Sequence, residues 1–427
     1  MIVIGMLIVL ATFVAIVKRY EVRMVLFTSG LLMALISMDP ISAFDAFRDR
    51  MVHPTLVPVI CSVMGFAFVA RATRCDKNLV RLLTNPLRKI RPILVPGAVL
   101  VTWFINISLI SAAGVSAAVG VVLIPTLIMA GVHPAMAATA VFAGTYGSVL
   151  SPGNPHNVMV SDIANIGVME VIGNHAVPAV ICALIGAISL AIISRIKKEH
   201  QGYEPPQDDE AAEVQTDEET GEESVNVIKA LVTMLPLVLI ILATDQVGLL
   251  PPTLEIHTAM IIGAIVALAV SRWNPQEVTK EFFDGMGHAF SNVIGIIIAA
   301  SVFTTGMAAI GLTDALIEIM RQYTAIAPFS ATFGPFLVAV LGGSGDAATL
   351  AFNEAVTPHA ADLGISAADL GSVANVAGAL GRTMSPVAAA AIVCAGLAQV
   401  SPVELFKRNA PGMIVSAIVF MILMLFV

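Results

Sequence analysis

The feature that most constrains this chain is a pattern occurring twice inside apolar segments. It reads Gly-x-x-Gly-x-x-x-Ser-Pro, at Gly144, Gly147, Ser151 and Pro152, and again at Gly378, Gly381, Ser385 and Pro386. A second pair precedes it, with Ser111, Pro125 and Gly131 spaced like Ser344, Pro358 and Gly364. A third is Asp/Asn-Pro-x6-Phe-x-Asp-x-Met, from Asp39 through Phe47 and Asp49 to Met51, and from Asn274 through Phe282 and Asp284 to Met286. The displacements are 234, 233 and 235 residues, so one duplication accounts for all three. Prolines and glycines at matched points of two apolar halves predict helices that break within a membrane, the pattern of a transporter binding site.

Composition supports the membrane setting. The chain is 57% hydrophobic and 12% charged, with a mean hydropathy of +0.90, far above a soluble domain. Its apolar runs, such as 2–17, 56–70, 177–193 and 413–427, are continuous, which predicts helices and not barrel strands. No basic segment precedes the first run, which argues against a cleaved signal peptide. The four cysteines show no paired spacing, so neither a disulfide framework nor a metal site is expected. Eleven carboxylates fall between Glu199 and Glu223, and this stretch is expected to be a disordered linker between the halves. The remainder of the chain is slightly basic.

The spacing predicts an N-terminal repeat over 1–198, with scaffold spans in 1–91, a hairpin and broken helix in 92–172 and a final span at 175–196. After the acidic linker 199–226, a C-terminal repeat over 227–427 holds a hairpin at 327–363, a broken helix at 368–400 and a final span at 409–427. If each hairpin is re-entrant, each half crosses five times and the second half is upside down. Cytoplasmic loops are rich in Lys and Arg, and this topology puts 18 of the 22 basic residues on one side. Only Arg48, Arg50 and Arg321 fall opposite, and Arg382 lies within a span. The expected fold is therefore an all-α polytopic membrane protein of two inverted-topology repeats, each with five crossings, one re-entrant hairpin and one broken helix. Both termini are expected in the periplasm and the linker in the cytoplasm.

The hairpin tips, 106–116 and 342–349, are rich in Gly and Ser, whose free N–H groups and hydroxyls suit a carboxylate. Half-helices starting after each break, at Ser151-Pro-Gly-Asn-Pro-His-Asn157 and at Ser385-Pro386, point positive dipole ends inward. Arg382 is the sharpest residue, because a guanidinium near mid-membrane is costly unless compensated; it reads as an anion anchor or as a structural pin to hairpin carbonyls or Asp346. Asp346 and Glu354 are candidates for carrying a coupling proton or cation, although Asp346 also suits a helix cap. His156 lies in the first break, as substrate contact or loop residue. His133 and His359 read as interfacial. Walker, zinc-protease and nucleophile-elbow signatures are absent from the sequence, as are an arginine ladder and a potassium-filter sequence. An ATP-driven pump and an intramembrane hydrolase are disfavoured, and a channel is weakly supported.

The stretches Gly285-Met-Gly-His-Ala-Phe-Ser-Asn292, Gly343-Ser-Gly-Asp346, Leu380-Gly-Arg-Thr-Met-Ser-Pro386 and Gln399-Val-Ser-Pro-Val-Glu404 with Lys407-Arg408 resemble the DcuC-type anaerobic four-carbon dicarboxylate carriers. These belong to a wider ion transporter superfamily. The resemblance implies an inner-membrane secondary carrier for succinate, fumarate and malate, working by exchange or cation-linked transport, with an elevator domain and a dimerising scaffold. Carried over residue by residue, it implies substrate contacts at Ser108, Ser111, Gly114, Ser151 and Asn154, and at Ser344, Gly345, Thr349, Arg382, Thr383 and Ser385. It implies no cofactor beyond a coupling proton or sodium ion, and no enzymatic or nucleic-acid function. Two places depart from the pattern. Asp346 stands where an uncharged Asn is expected, and the first break differs from the Pro-Thr-Ser-Gly-Asp type. A cation/proton antiporter or a carrier of another organic anion is the alternative on the same fold, and a passive channel or sensor subunit is a rival of another class.

Overall fold

Each duplicated motif lands on a matched structural event. In the computed structural model, which describes residues 1–18, 20–86, 93–203, 225–244, 247–251, 253–322 and 326–427, the first half runs α1 (Ile2–Val17), α2 (Val22–Ile36), α3 (Pro40–Met51), α4 (Leu56–Ala72), α5 (Cys75–Thr84), α6 (Leu94–Ser108) and α7 (Ala112–Met129). It continues with α8 (Pro134–Ala143), a 3-10 turn (Gly147–Leu150), α9 (Pro155–Ala164) and α10 (Val168–Ile196). The second half repeats this order: α11 (Val227–Leu242), α12 (Ile256–Ser271), α13 (Pro275–Ala289), α14 (Gly295–Ala309), α15 (Leu312–Gln322), α16 (Ile326–Gly342) and α17 (Gly345–Ala355). A 3-10 turn (Thr357–Leu363), α18 (Ala367–Met384), α19 (Ala389–Leu397) and α20 (Pro402–Leu425) complete it. The described residues contain helices and no strands. Most of the acidic linker, 204–224, lies outside them.

The Asp/Asn-Pro motif starts α3 and α13: Asp39 accepts from the Ser42 N–H at 3.4 Å, and Asn274 from the Gln276 N–H at 3.0 Å, with proline at the first helical position of each. Ser111 and Ser344 sit at the N-caps of α7 and α17. Gly131 and Gly364 both end their hairpins at positive φ, +91° and +72°, a conformation glycine adopts without penalty. Between α3 and α4 the chain bends by 48°, whereas α13 runs into α14 through a π-helical segment (Phe290–Ile294) as a 35-residue rod.

Among the described residues five helical segments are long and apolar enough to cross a membrane: Ala112–Met129, Val168–Ile196, Pro275–Ala309, Ala367–Leu397 and Pro402–Leu425. Six shorter apolar helices accompany them, and α3 with α4 forms one further bent candidate. Packing separates two regions. Helices α4, α11, α12 and α14 share one apolar core, extended by α1, α2 and α15. Helices α6, α7, α8, α10, α19 and α20 share another, continued through α16 and α18. The hairpins and breaks lie in the second region, with α9 and α17 reaching back to touch the first.

Candidate functional site

The glycines of the opening pattern set the geometry. A Cβ on Gly147 would collide with the carbonyl oxygen of Trp103 on α6, and one on Gly381 with that of Phe336 on α16. Each broken helix therefore lies directly on the backbone of its own hairpin's first arm. The two breaks meet each other where Arg382 of the second reaches Thr145 of the first.

The first break is closed by its own hydrogen bonds. Asn154 caps α9 through the His156 N–H at 2.9 Å and donates to the Ser148 carbonyl at 2.9 Å. Asn157 donates to the carbonyls of Val149 at 2.7 Å and Ser151 at 3.0 Å. Asn106, at the end of hairpin arm α6, accepts from the Ser148 N–H at 2.9 Å and donates to Leu109 O at 2.8 Å. The buried His175 of α10 ties the first break to α18, lying 3.0 Å from Val149 O and 3.0 Å from Ser372 Oγ. Asn375 donates to Asn157 at 2.8 Å across the two halves. Sequence reasoning did not single out Asn157, His175 or Asn375; their signal is a buried polar group in an apolar helix.

The second break is open by comparison. Arg382 donates from Nη2 to the Thr145 carbonyl of the first break at 2.8 Å. Its Nη1 is buried and has no hydrogen-bond partner among the described residues. The pin expected toward hairpin carbonyls or Asp346 thus goes instead to the other half. Asp346 pairs with His156, Oδ1 to Nε2, at 3.0 Å. Although deep among the helices, the Asp346 side chain is 60% exposed, so it faces open space, while that of His156 is 9% exposed. The two places read above as departing from the resemblance, one in each half, meet in this pair. Ser344, at the tip, spends no side-chain bond on capping α17.

Other expected contacts hold the architecture. Thr349 is buried and donates to Ala374 O at 3.3 Å, and a Cβ on Gly378 would collide with it. Gly345 packs against the backbone of Gly378. Thr383 donates to Ala379 O at 2.8 Å, and Ser385 to Val340 O at 2.7 Å. Glu354 lies away from the tip, ion-paired with Arg50 of α3, whose Nε stands 2.9 Å from it. A buried Arg408 clamps Glu199 at the end of α10 to Glu404 at the start of α20.

Ser108, Ser111, Gly114 and Ser151 line a separate cleft at the first hairpin tip. Opposite them stand Arg71, Asp76 and Thr233, from α4, α5 and α11. Burial pushes the Asp76 carboxyl up to about 6, against the opposing pull of the Lys77 N–H and of Arg71. Among the described residues no cluster of His, Cys, Asp and Glu is arranged to hold a metal, and the four cysteines are free and buried.

Over residues 2–427 the chain matches the family described as "DcuC: C4-dicarboxylate anaerobic carrier". Across 286 residues it is 42% identical to a Haemophilus influenzae protein described as an uncharacterized transporter, which covers 65% of this chain and 100% of that one. It is 26% identical over 451 residues to the anaerobic C4-dicarboxylate transporter DcuC of Escherichia coli, covering 98% of this chain and 95% of that one. The solved structure of the Alcanivorax borkumensis YdaH transporter aligns with a TM-score of 0.57 at 13% identity, over 89% of this chain and 86% of that one. That likeness is one of fold.

Proposed function

The chain belongs to the DcuC family of C4-dicarboxylate anaerobic carriers, and from that premise we propose that this multi-pass membrane protein carries small dicarboxylates of the succinate, fumarate and malate class. The observation that carries this reading is Arg382: a half-engaged guanidinium whose Nη1 is bare, set where the two breaks converge. A carboxylate there would satisfy a group that is otherwise costly at that depth. Ser344 lies on the same open tip, and Asp346 with His156 supplies a titratable pair beside the anion. That pair favours coupling to a proton or sodium ion as the finer mechanism, with pure exchange as the alternative. Neutralising Arg382 gives the ligand a differential grip on two states, which alternating access needs.

We place the protein in the bacterial inner membrane as two inverted repeats, with both termini periplasmic and the linker cytoplasmic. Contacts far apart in sequence support this topology. Arg50 with Glu354 and His53 with Asp162 each join residues that fall outside in this topology. Arg408 with Glu199, and the Asn226 N–H with Asn78 at 2.9 Å, join residues it puts inside. The region built on α4, α11, α12 and α14 is the natural scaffold and dimer surface, and the hairpins and breaks form the moving elevator. Purified protein in proteoliposomes is expected to exchange internal labelled succinate only when a dicarboxylate is present outside. A protein stabilised by sodium or pH and indifferent to millimolar succinate would instead be a cation/proton antiporter on this fold.

A further inference from the structure

The cleft at the first hairpin tip joins the two packed regions. Ser111 and Ser151 come from the hairpin and the break, whereas Arg71 and Thr233 come from α4 and α11 of the other region. A Cβ built on Gly114 would lie 3.4 Å from Arg71 Nη2, so the guanidinium reaches the tip itself. Among the described residues Arg71 makes no hydrogen bond; its guanidinium carbon lies 5.4 Å from the centre of the Phe68 ring, and its charge is attracted at longer range by Asp76 of the same cleft. Thr233 is 2% exposed, and its hydroxyl has no hydrogen-bond partner among the described residues. The hydroxyls of Thr84 and Thr313 are likewise bare, but neither lines this cleft. Thr73, Thr102, Thr126 and Thr139 each return their hydroxyl to the carbonyl four residues back, at 2.8, 2.7, 2.6 and 2.5 Å, the usual satisfaction of a threonine inside a helix. A buried hydroxyl left bare at a cleft wall is an unmet donor. Ser111 accepts from the Gly114 N–H at 3.1 Å, which leaves its own O–H proton available.

We propose that Arg71, Thr233 and Ser111 form a second carboxylate-binding subsite, at which a dicarboxylate links the α4–α11 region to the first hairpin tip. It rests on the dicarboxylate reading above and adds to it a site distinct from Arg382. Three donors of different origin line that cleft: a planar guanidinium, a buried hydroxyl and a tip hydroxyl at the start of an 18-residue helix whose dipole favours an anion. Asp76 lines the same cleft, but its Oδ1 is held by the Lys77 N–H at 2.6 Å, which draws its charge back toward the start of its own helix. Because the donors belong to regions that must move apart in an elevator cycle, the subsite would bind the anion in one state only. It thereby sets the concentration at which transport half-saturates, and not the maximal rate.

The test is succinate counterflow in proteoliposomes over a range of external concentrations. Arg71→Gln is expected to raise the half-saturating concentration at least tenfold with the maximal rate within about twofold. Thr233→Val should raise it about threefold and Thr233→Ser restore it, because only the hydroxyl matters. Arg74→Gln, a neighbouring exposed arginine that does not line the cleft, should change nothing. Half-saturation unchanged in both Arg71→Gln and Thr233→Val, with normal wild-type counterflow, overturns the subsite alone. Should Arg71→Gln fail to insert, the Thr233 pair decides by the same criterion. Absence of succinate counterflow in the wild type would remove the dicarboxylate reading, and the subsite with it.

Discussion

The two breaks arise from one duplicated pattern, yet they do opposite things with their polar groups. In the first, Asn106, Asn154 and Asn157 close on nearby backbone, so that the turn is held by its own side chains, although the Tyr146 hydroxyl and His156 Nδ1 have no partner among the described residues. In the second, a longer helix carries Arg382 into the centre, where one Nη bonds the first break and the other is bare. The first copy is a receptacle and the second a probe inserted into it. A duplicated element can thus divide its labour: one copy uses its polar groups for rigidity, and the other, on the reading proposed above, keeps a polar group for a ligand.

The most severe way to break this comparison is to fill the glycine contacts that both copies share. Gly147→Ala and Gly381→Ala each force a methyl into a backbone oxygen that a rotamer change cannot move. Each is expected to cost about 3 kcal/mol, the upper end of overpacking penalties, read as a lower thermal midpoint in detergent. Equal losses would say that both copies are equally fixed to their hairpins. A tolerated Gly381→Ala beside a damaged Gly147→Ala would show the second copy to be the mobile one.

A second comparison sets α5 against α15. Both carry an acid in the first turn, but Asp76 is buried and Asp314 exposed. Burial raises the Asp76 carboxyl to about 6 from an ordinary 3.8. A carboxyl raised in the fold binds more protons folded than unfolded, so its contribution to stability falls as pH rises from about 4 to 6. Asp76→Asn should therefore stabilise the protein by roughly 2 kcal/mol at pH 7.5 and by almost nothing near pH 4. Asp314→Asn should stay within about 0.5 kcal/mol at both. Thermal unfolding across that range checks the sign, and stabilisation by Asp76→Asn at low pH would contradict it.

The smallest expected effect is the coupling between the halves. His156→Gln, Asp346→Asn and the double variant form a cycle on the 3.0 Å pair, with an interaction energy of about 1 kcal/mol in apparent succinate affinity. Additive effects would mean that the pair does not act as a unit.

Much of the fold was legible in the sequence because the features that specify helix ends are local. Asp39, Asn274, Ser111 and Ser344 mark helix starts, Gly131 and Gly364 mark hairpin ends, and the prolines mark the breaks. The site was legible only in part. Arg382 stood out because a lone charge in an apolar run is costly unless something compensates it. By contrast, His156 meets Asp346 across 190 residues and Arg50 meets Glu354 across 304, and no periodicity encodes such pairings. Arg71 read as one of many basic residues at a span end, and only folding brings it to the first hairpin tip. Asn154, Thr349, Thr383 and Ser385 are expected as ligand contacts from the family resemblance. In the fold their hydrogen-bonding groups are already engaged.

The most direct measurement of the central claim is labelled-succinate counterflow, normalised to inserted protein, for Arg382→Gln beside Asn154→Ala. The account predicts that Arg382→Gln inserts normally and loses counterflow by about 100-fold or more, the scale of a lost charged anchor. It predicts that Asn154→Ala yields less inserted protein but transports within about threefold of wild type per molecule, as loss of a helix cap should. Normal counterflow by Arg382→Gln, or abolished counterflow by well-inserted Asn154→Ala, would reverse the roles assigned to the two breaks.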